Sequence, residues 1–164
     1  MRTTSSVDSE SSGHDEGILR PGLEGVVVAE TRLSEVDGAR GRLVIAGSDV
    51  EDLSREVGFE GACLRLWSGV ADEAGVAELR AELGAARVDA FERLSGLGEA
   101  LQAADGMDAL RAGVAHCSVH ARVGERAQAV ALTAATAVYA AAWGWLRLGL
   151  GPVAPDARLG HAED

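Results

Sequence analysis

The sequence contains no lysine and few aromatic residues. Its basic residues other than histidine are all arginines, and aromatic side chains make up only 4% of the 164 residues. The missing lysine excludes a Schiff-base mechanism and a phosphate-binding P-loop, because both need a lysine amine. With so few aromatic rings, leucine, valine and alanine have to fill the core. The length and the 47% hydrophobic content suit one ordinary domain.

Positive charge is also scarce. The formal net charge is −11 at pH 7, so the chain repels phosphate, which disfavours nucleic acid and anionic membranes as partners. Two cysteines, Cys63 and Cys117, are too few for a disulfide framework. Polar residues follow Arg2, without the apolar run of a secretory signal. Free thiols and the lack of an export signal predict a cytoplasmic protein.

The N-terminal part of the chain changes character at Ile18. Met1–Gly17 is polar and acidic, which predicts a disordered tail, whereas Ile18–Asp164 has the composition of a folded region. Two β-branched apolar runs, Val26–Glu30 and Arg42–Ala46, enclose an Asp-Gly turn signal at Asp37. These runs predict a small β-hairpin at the start of the fold.

Helical patterns follow the hairpin. Ser48 or Asp49 can cap a first short helix, and Asp105 is the expected N-cap of a helix over Met107–Cys117. Between them, apolar residues recur at helical spacing, and Gly84 predicts a break in the segment Val76–Leu97. These helix predictions depend on the apolar residues Phe59, Cys63, Leu66, Trp67, Leu79, Leu83 and Val88.

The longest predicted helix spans Glu125–Leu148. No residue from Ala127 to Leu146 is charged, and an uncharged run of about 20 residues has the length of a membrane span. The run is mostly alanine, however, and also carries polar residues, so a buried helix is favoured over membrane insertion. A small domain cannot enclose such a helix on every side. We therefore expect another chain, or a missing part of the same chain, to cover it.

The sharpest local cluster is "HCSVH", which contains His116, Cys117 and His120. On a helix, His116 and His120 would share one face at a spacing that suits two zinc ligands. A third ligand at fixed spacing is missing, and Glu125 is only a guess, so partly exposed structural histidines are favoured. Cys117 adjoins His116 but would not face it on a helix, which disfavours a thiol nucleophile. Cys63 lies among apolar residues and is expected in the core.

Several stretches in order resemble the N-terminal part of the large domain of bacterial citrate synthases. "GLEGVVVAETRLSEVDGARGRLVIAGSDVEDL" is similar to the family's opening strands, Asp-Gly turn and capped helix, and "FEGACLRLWSG" to the segment that follows. "GMDALRAGV" resembles the family's Pro-Met-Asp-x-Leu-Arg helix. "AVYAAAWGWLRLGLGPVAPDARLGHA" resembles the long buried helix, the proline loop and the start of the next helix. The similarity extends from about Gly22 to Ala162.

The sequence departs from the family pattern at identifiable positions. Ile45–Ser48 stand where the family usually has Tyr-Arg-Gly-Tyr, and Asp105-Gly106 replace its His-Pro. Ser68–Asp72 replace a His-Gly-Glu-Leu-Pro stretch. The family's catalytic His, second His and Asp, and the arginines that hold oxaloacetate, have no counterpart here. The resemblance therefore implies no catalytic, cofactor-binding or metal-binding residue in this chain, and His161 matches only a helix-start position.

The resemblance implies a mainly α-helical fold, the front of the citrate synthase large domain, with a small N-terminal β-hairpin. The family condenses an acyl-CoA with oxaloacetate to citrate or 2-methylcitrate and needs no further cofactor. Because the catalytic groups lie beyond the matching region, we expect an incomplete domain that acts with a second polypeptide. By the same resemblance, Met107–Cys117 and the helix after Glu125 are the expected homodimer contacts. The alternative is a non-catalytic helical dimerisation or regulatory protein derived from this family.

Overall fold

A computed structural model describes residues 30–68, 75–117 and 124–164, and its large compact unit starts at Arg32. The predicted tail Met1–Gly17 lies outside the described residues. Three short strands come first: β1 (Ser34–Asp37), β2 (Arg42–Ile45) and β3 (Ser48–Asp49). The helices that follow are α1 (Val50–Glu56), α2 (Phe59–Trp67), α3 (Val76–Glu92), a 3₁₀ segment (Leu94–Gln102), α4 (Gly106–Cys117) and α5 (Glu125–Arg147). The expected mainly α-helical fold with a small N-terminal sheet is confirmed.

The small sheet is antiparallel and has the order β1-β2-β3. The Asp-Gly signal is at the tip of the first hairpin, where the Asp37 carboxylate accepts a hydrogen bond from the Arg40 backbone N–H at 3.1 Å. The strand paired with β2 was expected at Val26–Glu30, but it is β1, with Ser34 opposite Ile45. A tight turn at Asp37 fixes the register of the residues directly before it. Residues 26–29 lie outside the described part of the chain.

Two helix caps are as the sequence predicts. The Asp49 side chain accepts a hydrogen bond from the Glu51 backbone N–H at 3.0 Å and caps α1. Asp105 caps α4 in the same way, because its Oδ1 accepts the backbone N–H groups of Met107 and Asp108 at 2.9 and 3.1 Å. Both carboxylates satisfy donors that have no partner within the helix and lie at its positive end. The caps fix where these helices begin.

The core has two parts, and α5 contributes residues to both. This helix packs mainly against α3 and α4. The first part is built from Cys63, Leu79, Leu83, Val130 and Ala134. The second is built from Ala90, Leu97, Leu101, Ala135, Val138, Tyr139 and Ala142. Cys63 is buried, as expected, and so are Leu79 and Leu83 of the predicted apolar face. Small residues on α5 let these helices approach closely.

Helix α3 is continuous from Val76 to Glu92, so the break predicted at Gly84 is wrong. The residue is glycine for a different reason. A Cβ built on Gly84 would lie 2.2 Å from the carbonyl oxygen of Ala157, so only glycine lets the C-terminal segment approach the helix. Glycine destabilises a helix interior, and here the close contact with Ala157 offsets that loss of stability.

Helix α5 confirms the long uncharged element, but it is not enclosed on every side by the described residues. One face is buried through Val130, Ala134, Val138 and Ala142, while Leu132 and Leu146 remain about 40% exposed. By length and composition alone, α5 could also cross a membrane, with 28% of its most apolar stretch buried. A single helix of this kind is weak support for a membrane span, since core helices of soluble proteins meet the same test. The face that carries Leu132 is apolar and uncovered by the described chain.

Candidate functional site

The most polar buried site in the described residues joins Asp156–Asp164, here called the docked segment, to α2 and α3. At its centre is Arg87, a residue of α3 that is only 2% exposed. Its Nε donates to Asp164 Oδ2 at 2.7 Å, and its Nη2 donates to the backbone carbonyls of Leu159 and Asp156 at 2.9 and 3.3 Å. A buried arginine is tolerated because its charge is paired and its donors are satisfied.

His161 is held between α2 and α3. Its Nδ1 lies 3.3 Å from Nη1 of Arg87, and its ring stacks on Phe59 with ring centroids 4.5 Å apart. Its backbone N–H donates to Glu60 Oε1 at 2.8 Å. Burial, followed by the nearby Arg87 charge, lowers the pKa of His161, although the carboxylates of Glu60 and Asp164 oppose the shift. The site therefore favours the neutral imidazole.

Glu60 is the buried acid of α2 and is 7% exposed. Burial alone would raise the pKa of Glu60, but hydrogen bonds from the backbones of His161 and of Glu60 itself, together with the charge of Arg80, bring it below its usual value. Arg80 also pairs with Glu163 at 2.7 Å. Two helices thus contribute charged side chains that grip the same short segment.

The second of two hydrogen-bonded turns in the docked segment lies where the sequence resembles a helix start. The backbone N–H groups of Glu163 and Asp164 donate to the Gly160 carbonyl at 3.1 and 3.2 Å. The Glu163 side chain reaches back and accepts the Gly160 backbone N–H at 2.9 Å, as in a capping box. His161 is therefore a residue of this turn, and its role here is structural.

A cavity of roughly 130 Å³ lies beside the cluster, between α3, α5 and the proline loop that precedes the docked segment. Its walls include Arg87, His161, Phe91 and Trp145. The donors of Arg87 are occupied by the docked segment, and within the described residues no buried side-chain nitrogen or oxygen lacks a hydrogen-bond partner. The arrangement therefore holds the segment against α2 and α3.

The structure describes two residues of the "HCSVH" cluster, His116 and Cys117. His116 is half-buried near the end of α4, and His120 lies outside the described residues. Cys117 Sγ lies 3.7 Å from the hydroxyl of Tyr139 and 3.7 Å from the carbonyl of Gly113. The thiol is thus directed at α5. In residues 30–68, 75–117 and 124–164, no three His, Cys, Asp or Glu side chains are grouped as a metal site would need.

Sequence reasoning missed the Arg87 cluster. The partners of Arg87 are 69 to 77 positions away along the chain, so no local sequence pattern predicts them. One signal was present: Leu79, Leu83 and Arg87 recur at four-residue intervals, which places an arginine on the buried face of α3. An arginine at such a position requires a buried acceptor elsewhere.

Comparison with known proteins accounts for the fold. The family model described as citrate synthase, C-terminal domain, matches residues 22–164. The citrate synthase of Haloferax volcanii is 51% identical over 53 residues, which cover 32% of this chain and 14% of that protein. The citrate synthase of Synechocystis is 28% identical over 158 residues, covering 92% of this chain. The chain spans 40% of the length of the Synechocystis protein. With a family match over most of its length, this chain belongs to the citrate synthase family.

Proposed function

We propose that this chain is the non-catalytic scaffold of a citrate synthase that condenses an acyl-CoA with oxaloacetate to citrate or 2-methylcitrate. In this proposal a second polypeptide supplies the catalytic His, His and Asp. The family match over residues 22–164 supports the family, and the observation that carries the scaffold role is that Asp105, Asp108 and His161 each have a structural partner. The scaffold itself would bind no cofactor, and acetyl-CoA or another acyl-CoA is the substrate of the completed assembly.

The chemistry of the reaction supports a scaffold role. A carboxylate must remove a proton from the thioester methyl group while a histidine stabilises the enol, so both groups must converge on the substrate. Here Asp105 caps α4, Asp108 pairs with Arg111 at 2.8 Å, and His161 is held by Arg87. Each group already has a structural partner, which supports the proposal that catalysis is supplied from outside these residues.

The proposed partners are a second copy of the chain and the catalytic polypeptide. Their contact surfaces are α4 and α5, which expose Met107, Leu132 and Leu146. Exposed apolar side chains on adjacent helices are typical of a surface that another protein covers. The net charge of −11 disfavours nucleic acid in the assembly. We also place the assembly in the cytoplasm, with α5 against protein and not in lipid.

Reconstitution tests the proposal. The encoding genome is searched for a reading frame with a Gly-Pro-x-His-Gly-Gly motif, and both purified chains are mixed with acetyl-CoA and oxaloacetate. Citrate and free CoA are measured by chromatography, since a thiol reagent would also react with accessible protein thiols, and Cys117 is only half-buried. We expect product from the mixture and none from this chain alone. Folded chains that form no product together would refute the proposal.

Matched variants connect activity to the proposed surface. Leu132 on α5 and Val36 on β1 are both exposed apolar residues, at 40% and 75%. Leu132→Asp places a charge in the proposed contact and should reduce the rate at limiting concentrations of the second chain. Val36→Asp should leave the rate unchanged, because the proposed contact does not include the sheet. Equal rates for both variants would place the contact elsewhere.

The second candidate is a non-catalytic dimerisation or regulatory protein. It is favoured by the departures at Ala46–Ser48 and Asp105-Gly106, where the chain forms a tight turn and a helix cap. This candidate predicts a stable homodimer in light scattering that binds the complete citrate synthase of the same cell and changes its rate. If this chain and a catalytic fragment together form citrate without a complete citrate synthase, the first candidate is favoured.

A membrane-bound form is a further alternative. Recovery of the chain in the detergent phase of lysed cells would support it.

A further inference from the structure

Polar contacts attach the docked segment, together with the stacking of His161 on Phe59 and the close approach of Ala157 to Gly84. Arg87 donates to the side chain of Asp164 and to two of the segment's carbonyls, while Glu60 accepts the backbone N–H of His161. The segment has no regular helix or strand of its own within its described residues. Its position therefore depends on the charge states of a few buried side chains, since interactions of this kind are lost when one partner changes its charge.

His161 is the member of this cluster whose ordinary pKa is nearest to neutrality. The 3.3 Å contact between Arg87 Nη1 and His161 Nδ1 requires a lone pair on Nδ1, because a guanidinium nitrogen is only a donor. The imidazole must then carry its hydrogen on Nε2. In this geometry the docked segment contains a neutral histidine whose Nδ1 accepts a hydrogen bond from Arg87.

Protonation of His161 would remove that acceptor. Both ring nitrogens of an imidazolium are donors, so Nδ1–H would face the guanidinium, and two positive charges would lie side by side. The charged groups around the ring are Arg87 from α3, Glu60 from α2 and Asp164 in the segment itself. The two carboxylates are already engaged, Glu60 by the His161 backbone and Asp164 by Arg87 and the Asp156 backbone N–H.

We propose that the docked segment is a pH-gated clasp, closed on α2 and α3 while His161 is neutral and opened when His161 takes up a proton. Opening withdraws Ala157 from Gly84 and removes one wall of the cavity that Phe91 and Trp145 line. The clasp thus couples proton concentration to the exposure of a surface formed by α3 and α5. It depends on residues of this chain alone and is independent of the proposed catalytic assembly.

The direction of the effect follows from linkage. In the open segment His161 titrates near its ordinary value of 6.5, whereas burial and Arg87 lower its pKa in the closed one. The open form therefore binds more protons between these two values, and opening grows as the pH falls through that window. The opening constant rises by at most about tenfold per pH unit, since one titrating group is involved. Below the lower pKa the effect levels off.

Hydrogen exchange of the full chain between pH 7.5 and 5.0 tests the clasp, with rates corrected for intrinsic exchange. A peptide covering residues 156–164 should lose protection as the pH falls below about 6.5, while a peptide from α4 should not. His161→Gln keeps a side-chain acceptor but does not titrate, so its 156–164 peptide should show no pH dependence. His116→Gln on α4 is the matched control and should behave as the unmodified chain.

A direct titration makes the test independent of how the variants fold. The His161 ring resonances of the unmodified chain, followed by NMR, should give a midpoint below 6.5 that coincides with the loss of protection. A midpoint at or above 6.5 would overturn the proposal. So would pH-independent protection in the unmodified chain, or an unchanged pH dependence in folded His161→Gln.

Discussion

Gly84 in α3 and Ala157 in the docked segment are in direct backbone contact. A Cβ on Gly84 would lie 2.2 Å from the Ala157 carbonyl oxygen, a distance that no pair of non-bonded heavy atoms sustains. The contact explains why a helix-disfavouring residue lies in the middle of a continuous helix. The same close approach lets the backbone carbonyls of Leu159 and Asp156 accept hydrogen bonds from Arg87 of α3.

The first prediction concerns this contact. Gly84→Ala should destabilise the protein by about 1–3 kcal/mol, because the added methyl group forces the segment away from α3. The matched control is Gly144→Ala in α5, where a Cβ would meet nothing within 4 Å. There the better helix propensity of alanine should stabilise the protein by up to about 1 kcal/mol. Urea denaturation measures both, and effects of the same sign would contradict the close approach.

The second prediction concerns the buried ion pair of Arg87 and Asp164. Arg87→Met leaves the Asp164 carboxylate, 10% exposed, without its partner and should cost about 3–5 kcal/mol in the attachment of the segment. Hydrogen exchange of residues 156–164 reports this loss even where the helices stay folded. Arg111→Met on α4 breaks an ion pair of similar length, 2.8 Å, that is exposed on both sides. That control should change stability by less than about 1 kcal/mol.

Local chemistry explains what the sequence could predict. Asp49 and Asp105 bond backbone groups two or three residues away, so their capping roles can be inferred from neighbouring residues alone. Leu79 and Leu83 repeat with the period of a helix and are fully buried. The order of the helices likewise follows from hydrophobic periodicity, and the Asp-Gly signal at Asp37 marks the first hairpin.

The residues that sequence reasoning missed depend on distant partners. No role was predicted for Arg87, since its acceptors lie beyond residue 155. Gly84 was read as a helix breaker because propensity carries no information about Ala157. His161 was matched to a helix-start position by resemblance; in the structure it lies in a hydrogen-bonded turn, and its contact with Arg87 could not be anticipated. Such pairings become visible only once the chain is folded.

The third prediction concerns the turn between β2 and β3. Ala46 and Gly47 have φ angles of +47° and +79°, as in a type I′ turn, and Ala46 is the non-glycine residue with positive φ in the described chain. An L-residue other than Asn or Asp pays about 1–2 kcal/mol in this conformation. Ala46→Asn should therefore raise the free energy of unfolding by about 1 kcal/mol.

Ala39 in the first hairpin loop provides the comparison for this substitution. Its φ is not positive, so Ala39→Asn should alter the free energy of unfolding by no more than about 0.5 kcal/mol. Urea titrations at one temperature compare the two variants with the unmodified chain. A gain at Ala39 as large as that at Ala46 would mean that the polarity of asparagine, and not the turn conformation, is responsible.

The fourth prediction concerns acid stability through Glu60. Hydrogen bonds from the backbones of His161 and of Glu60 itself, together with the charge of Arg80, outweigh burial and lower the pKa of Glu60 below 4.5 in the folded state. The unfolded chain then binds a proton more readily, so this contribution is complete above pH 4.5 and is lost as the pH falls from there through the lowered pKa. Glu60→Gln keeps an acceptor for the His161 N–H but has no charge to titrate. Stability measured by urea between pH 5 and 3 should fall less steeply in Glu60→Gln than in the unmodified chain.

Glu51→Gln, on the exposed first turn of α1, is the control and should retain the pH dependence of stability of the unmodified chain. If Glu60→Gln retains it as well, the Glu60 carboxylate does not stabilise the docked segment as an anion.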